Sequence, residues 1–89
     1  MVRSVELNFR LKRINIIGKR RGSKELDLIF GRFIDDNLAE LDDPLLHQFE
    51  DFLELNDSDL YDFFFGNVAP PRKFERIYKK ILEVLVLKF

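Results

Sequence analysis

Five breaks divide this chain into segments that suit short helices and little else. They are Gly22-Ser23, Asp42-Asp43-Pro44, Asn56-Asp57-Ser58-Asp59, Gly66-Asn67 and Pro70-Pro71. Ser23 is a good N-cap, with Glu25 and Asp27 in the first turn where the helix dipole favours acids. Asp43 reads as a cap, with Pro44 at the first helical position. Asn56 to Asp59 ends one helix and starts a short one, Leu60 to Phe65. Gly66-Asn67 stops that helix, and Pro70-Pro71 opens the last.

Between the breaks, apolar residues recur at helical spacing. Leu26, Ile29, Phe30 and Phe33 form one stripe, and Ile34, Leu38 and Leu41 continue it on a shifted face, which predicts a bend near Gly31. Leu45, Leu46, Phe49, Phe52 and Leu53 form another. Phe74, Ile77, Tyr78, Ile81, Leu82 and Leu85 form the last. Residues 4–19 carry two patterns. Val5, Leu7, Phe9 and Leu11 alternate as in a strand, whereas Leu7, Leu11, Ile14 and Ile17 fit a helix that Ser4 would cap. Spacing leaves both open, and the helical chain downstream favours a helix, weakened near its end by Gly18. The expectation is an all-α, compact five-helix bundle, one domain over residues 1–89, with no internal repeat.

A chain of 89 residues buries only about 60–65% of its unfolded surface. Its ten phenylalanines therefore supply much of the core, each ring burying about 150–250 Å². With no cysteine, disulfides and thiolate-bound zinc are excluded, and a reducing compartment fits. MVRSVELNF lacks the apolar region of a signal peptide. The longest apolar run, Val84 to Leu87, is far too short to cross a bilayer. These features predict a bacterial cytoplasmic protein without membrane insertion, a processed organellar protein being the alternative.

The net charge of −1 hides an asymmetry. Residues 1–24 carry +7, residues 25–69 carry −12 and residues 70–89 carry +4. Two accounts compete. The acidic middle helices dock beside the basic terminal ones, or the polarised surface steers a partner.

Catalytic chemistry has little to stand on. Cysteine is absent, and His47 is read as a surface residue. Asp35-Asp36, Asp42-Asp43 and Asp57-Ser58-Asp59 read as caps and turns, and the last lacks the glycine and distal glutamate of a calcium loop. No phosphate loop or dinucleotide fingerprint occurs. No catalytic or metal residue is therefore assigned. Arg10, Lys12, Arg13, Lys19, Arg20, Arg21 and Lys24 form a basic stretch, yet the acidic middle and the pI of about 5.8 oppose nucleic-acid binding. Tyr61 and Phe63-Phe64-Phe65 lie on a helix too short to bury four rings in one direction. Either the terminal helices cover the remaining rings, which is the favoured reading, or one or more of them face a groove or partner. Val86, Leu87 and Phe89 pose the same question.

Residues 20–27 stand apart. Helix dipoles account for the charge signs of Arg20-Arg21-Gly22-Ser23-Lys24-Glu25-Leu26-Asp27, but not for paired arginines before a glycine. Gly22 permits a left-handed turn or close backbone approach. Arg21 offers a planar donor fork for carboxylate, phosphate or backbone carbonyls. Glu25 stands one turn into the helix as an acceptor beside that fork.

Arg21-Gly22-x-x-Glu25, extended to Arg20 and to Leu26-Asp27, resembles the motif of the SdhE family. These are small FAD assembly factors that promote covalent flavinylation of succinate dehydrogenase. Leu53-Glu54-x-x-Asp57-x-Asp59-Leu60-Tyr61-x-Phe63 resembles the family's helix, acidic turn and helix, and the likeness covers about residues 10–85. It implies a five-helix bundle with no stably bound cofactor, the FAD belonging to a partner. That partner would be the flavoprotein subunit of succinate dehydrogenase and, in some bacteria, of fumarate reductase. The resemblance places Arg20, Arg21, Gly22, Glu25 and Asp27 at the contact with it. Arg21 would engage polar groups of the partner, and Glu25 would orient Arg21 or bind a partner cation. The chain would be a monomer and an aid to self-catalysed flavinylation rather than an enzyme. Phe63 stands where relatives commonly have tryptophan, and Val5 to Phe9 carry no role from the family. Two other classes compete: a helical interaction module or antitoxin-like regulator without a flavoprotein partner, and a nucleic-acid binder using residues 10–24.

Overall fold

The computed structural model describes the backbone of residues 2–88 and the side chains of residues 5–86. Ser4, expected to cap the first helix, is already helical within it, and the Leu87 and Phe89 side chains lie outside the described residues. The helices are α1 (Val2–Gly18), α2 (Lys24–Asn37), α3 (Asp43–Leu53), α4 (Asp57–Phe65) and α5 (Glu75–Lys88). Short 3-10 turns span Leu38–Glu40 after α2 and Arg72–Phe74 before α5. No strand occurs among the described residues, and the expected all-α five-helix bundle is what forms.

The helical spacing of α1 wins over its alternation because only a helix turns Leu11, Ile14 and Ile17 together toward the core. Ile14 is buried, while Val5, Leu7, Phe9 and Ile16 stay exposed. Gly18 closes the crossing of α1 and α2. A Cβ there would collide with Ile34 Cδ1, so the absent side chain lets the two helices approach.

Leucine and isoleucine make up most of the core, and phenylalanines link the helices through it. The Phe30 ring lies 6.2 Å from Phe49, 6.2 Å from Phe52 and 5.9 Å from Phe64. Phe33 meets Phe49 at 5.1 Å, and Phe74 meets Phe52 at 5.3 Å. These tilted and edge-to-face pairs bring rings from α2, α3, α4 and the turn before α5 together.

Caps set the helix boundaries. Ser23 Oγ accepts from the Leu26 N–H at 3.1 Å, as expected. The α3 cap falls one residue earlier than expected. It is Asp42, whose Oδ1 accepts from the Leu45 N–H at 2.9 Å, while Asp43 is already helical. Helix α4 begins at Asp57 rather than Leu60, because Asn56 Oδ1 accepts from the Asp59 N–H at 2.8 Å. After α4 the left-handed residue is Asn67 (φ 59°), not the adjacent glycine. No side chain of the Pro70-Pro71 segment caps α5. Gln48 of α3 serves that end instead, accepting from the Ile77 N–H at 3.0 Å.

Helix docking absorbs part of the charge asymmetry. Arg10 pairs with Glu50, Arg13 with Glu54 at 3.1 Å, Lys19 with Asp35, and Arg76 with Asp42 at 2.9 Å. Basic α1 thereby lies against acidic α2 and α3. His47 is exposed, as expected.

Candidate functional site

The turn between α1 and α2 is assembled around Arg21. Four backbone and side-chain acceptors converge on its guanidinium. Nε donates to Asp57 Oδ1 at 2.8 Å, and Nη1 donates to the carbonyls of Ile17 at 3.2 Å and Leu53 at 2.9 Å. Nη2 donates to the Leu55 carbonyl at 3.0 Å. Ile17 lies at the C-terminus of α1, and Leu53 and Leu55 at and beyond the C-terminus of α3. These carbonyls have no partner in their own helices, and a cation there also meets the negative ends of two helix dipoles. The side chain is only 9% exposed and lies over Phe30, 6.0 Å from the ring centroid.

The backbone on both sides of Arg21 is held too. Its own N–H donates to Asp27 Oδ1, one turn into α2. The Gly22 N–H donates to Asp57 Oδ2. One carboxylate thus reads the Arg-Gly pair with both oxygens. It also explains the glycine: a Cβ at Gly22 would stand 2.7 Å from Asp57 Oδ2. Gly22 has no positive φ, so close approach, not a left-handed turn, is what requires it.

The donor fork expected to face a partner is therefore turned inward. The long Arg21 side chain finds three carbonyls and a carboxylate that local spacing cannot foresee. Glu25 does not orient it either. Glu25 is exposed, and its Oε2 accepts from Ser23 Oγ at 3.0 Å. Its own backbone N–H, followed by the Ser23 hydroxyl and nearby Lys24, holds its carboxyl below the ordinary carboxylate range. Asp27, half-buried, is the acid of α2 that touches Arg21, at its backbone N–H. Arg20 is exposed beside Gly22 and Lys24.

The site thus has two parts. Arg21, Asp27 and Asp57 form a brace. Arg20, Gly22, Lys24 and Glu25 form the outer face that the brace holds in shape. Asp57 is the residue that reading the sequence alone assigned to a turn; its place in the acidic stretch of the second matching segment was the only signal for it. Four of the seven cations between residues 10 and 24 (Arg10, Arg13, Lys19 and Arg21) pair with carboxylates of the chain itself.

Beyond the outer face lie the four rings of α4. Phe63 and Phe64 pack inward, with Phe63 stacked on Phe52 and Phe64 against Tyr78. The Tyr78 hydroxyl donates to the Phe63 carbonyl, and burial pushes its pKa up. Tyr61 and Phe65 point out, their centroids 4.7 Å apart. Among the described residues, no group of three or more His, Cys, Asp or Glu is placed to hold a metal ion. No helix among them is long and apolar enough to cross a membrane.

The fold and site define a small helical bundle that presents a braced polar turn beside two exposed rings. The family described as flavinator of succinate dehydrogenase matches residues 12–85, and the chain belongs to that family. It is 33% identical over 64 residues to the FAD assembly factor SdhE of Francisella tularensis subsp. tularensis strain SCHU S4, covering 72% of this chain and 67% of the relative. No solved structure gives a significant match.

Proposed function

We propose that this protein is an assembly factor that binds the flavoprotein subunit of succinate dehydrogenase and promotes covalent attachment of FAD to it. Family membership over residues 12–85 carries this reading. The braced Arg-Gly-x-x-Glu turn, with Glu25 on its outer face, supports the place of contact. FAD and the histidine it becomes bonded to belong to the partner.

The contribution of this chain is positional. Arg20, Gly22 and Glu25 meet the partner, and the Arg21–Asp57 brace fixes their spacing beforehand. Rigid presentation lowers the ordering cost of binding and favours the partner conformer in which histidine and flavin lie within reacting distance. No acid–base work is assigned to the chain. A flavoprotein subunit of fumarate reductase would meet the same face, and the cytoplasm is where both would be encountered before membrane assembly.

The test is co-expression of the flavoprotein subunit with and without this chain, followed by flavin fluorescence of the denatured subunit. The expected result is strong covalent fluorescence only with the chain present. Equal fluorescence without it would overturn the proposal and favour a general helical interaction module.

A further inference from the structure

Glu25 belongs to a second feature besides the turn. It lines one end of an open groove of about 360 Å³, whose remaining walls are Leu28 and Ile29 of α2, Phe65 of α4 and Leu85 of α5. The walls are almost wholly apolar, and Glu25 is the one charged residue among them. Leu28 is 56% exposed and Phe65 50%, with Tyr61 at 41% against the Phe65 ring. Exposed apolar side chains gathered beside a polar rim mark an interaction surface more often than scattered ones do.

The groove and the turn are one rigid unit. Asp57, the first residue of α4, is bonded to Arg21 and Gly22. Phe65 lies eight residues further along the same helix, about 12 Å away along its axis. Glu25 and Leu28 are neighbours one turn apart on α2. A partner resting on the outer face of the turn therefore meets the groove without any rearrangement of the bundle.

We infer that the groove between α2, α4 and α5 is the anchoring half of the flavoprotein interface. It takes a large apolar side chain of the partner, with a basic partner residue next to it on Glu25. This inference rests on the function proposed above. An acid at the rim of an apolar groove selects a cation beside a hydrophobic anchor, and the groove is continuous with the face that carries Glu25. A second copy of this chain fits less well, since a two-fold contact across this small groove would bring the two Glu25 carboxylates near one another.

The test places a photo-crosslinking phenylalanine analogue, one position at a time, at Leu28, Phe65, Lys24 and Ile16 of the full chain, co-expressed with the flavoprotein subunit. Crosslinks to that subunit from Leu28, Phe65 and Lys24, with none from Ile16 on α1, support the inference. In parallel, Leu28→Ser and Phe65→Ser weaken the complex by about tenfold or more, as loss of a central apolar anchor does, with thermal stability retained. Crosslinks from Lys24 but not from Leu28 or Phe65 overturn the groove and leave the proposed function standing. Crosslinks from Leu28 and Phe65 only to another copy of this chain overturn the choice of occupant. No crosslink from any position, with covalent FAD independent of the chain, overturns both.

Discussion

Asp57 binds Arg21 and its neighbouring backbone with two different oxygens, from 36 residues further along the chain. Oδ1 takes the guanidinium and Oδ2 takes the Gly22 N–H. The beginning of α4 is thereby tied to the turn between α1 and α2. The remaining guanidinium donors tie the same point to the ends of α1 and α3. Arg21 is the joint at which four helices meet.

Arg21→Lys should therefore unfold the bundle more easily, despite keeping the charge. An ammonium cannot reach three carbonyls and a carboxylate in the plane a guanidinium provides. Leaving the carbonyls around this 9%-exposed side chain short of donors costs about 2–4 kcal/mol, or roughly 10–25 °C in Tm for a domain of this size. Calorimetry checks this. A Tm within a few degrees of the parent would mean that the fork contributes little to the fold.

Gly22→Ala should destabilise the protein chiefly through Asp57. The added Cβ meets Asp57 Oδ2 at 2.7 Å, which forces the carboxylate off the turn at about 1–2 kcal/mol. In an Asp57→Ala background the same change should cost far less. A double-mutant cycle in urea should return a coupling of about 1 kcal/mol or more. Additive effects would show that the glycine is needed for another reason.

These interactions mark the limit of what spacing reveals. The Ser23 cap and the stripes of α2, α3 and α5 were legible, because each is set by residues close to one another in sequence, whereas which rings of α4 face outward was not. Nor was the direction of Arg21, since its acceptors are distant in sequence and three of them are backbone carbonyls that carry no residue signature. The α3 cap was misplaced by one because adjacent aspartates offer the same chemistry. The choice between them turns on which carboxylate reaches the Leu45 N–H. Gln48 escaped notice for the same reason as Asp57: it serves a helix end from another part of the chain.

Acid should remove one cap selectively. The Leu45 N–H, and then Arg76, hold the Asp42 carboxyl below its ordinary range. A carboxyl with a depressed folded pKa stabilises the fold above its unfolded pKa, about 3.9. That stabilisation is lost as pH falls through the folded value. Asp42→Ala should accordingly lower stability at neutral pH, and the difference from the parent should shrink as denaturation is repeated down to about pH 3 and below. A difference independent of pH would assign the loss to packing rather than to the ionised cap.

Glu25 is where folding and function should separate. It is exposed, and its carboxylate bonds groups of its own turn such as the Ser23 hydroxyl, so the bundle does not depend on it as it depends on Arg21. Glu25→Gln keeps the size and one acceptor oxygen but removes the charge. If the carboxylate meets a partner cation, this variant should retain the parent Tm yet bind the flavoprotein subunit more weakly and leave less covalent FAD on it. Its defect should also be relieved by overexpression, as expected for weakened binding of a correctly folded protein. Covalent flavin and thermal melts measured on the same preparations decide the matter. Full flavinylation at limiting expression would remove Glu25 from the interface, and a fall in Tm matching that of Arg21→Lys would reassign it to the brace.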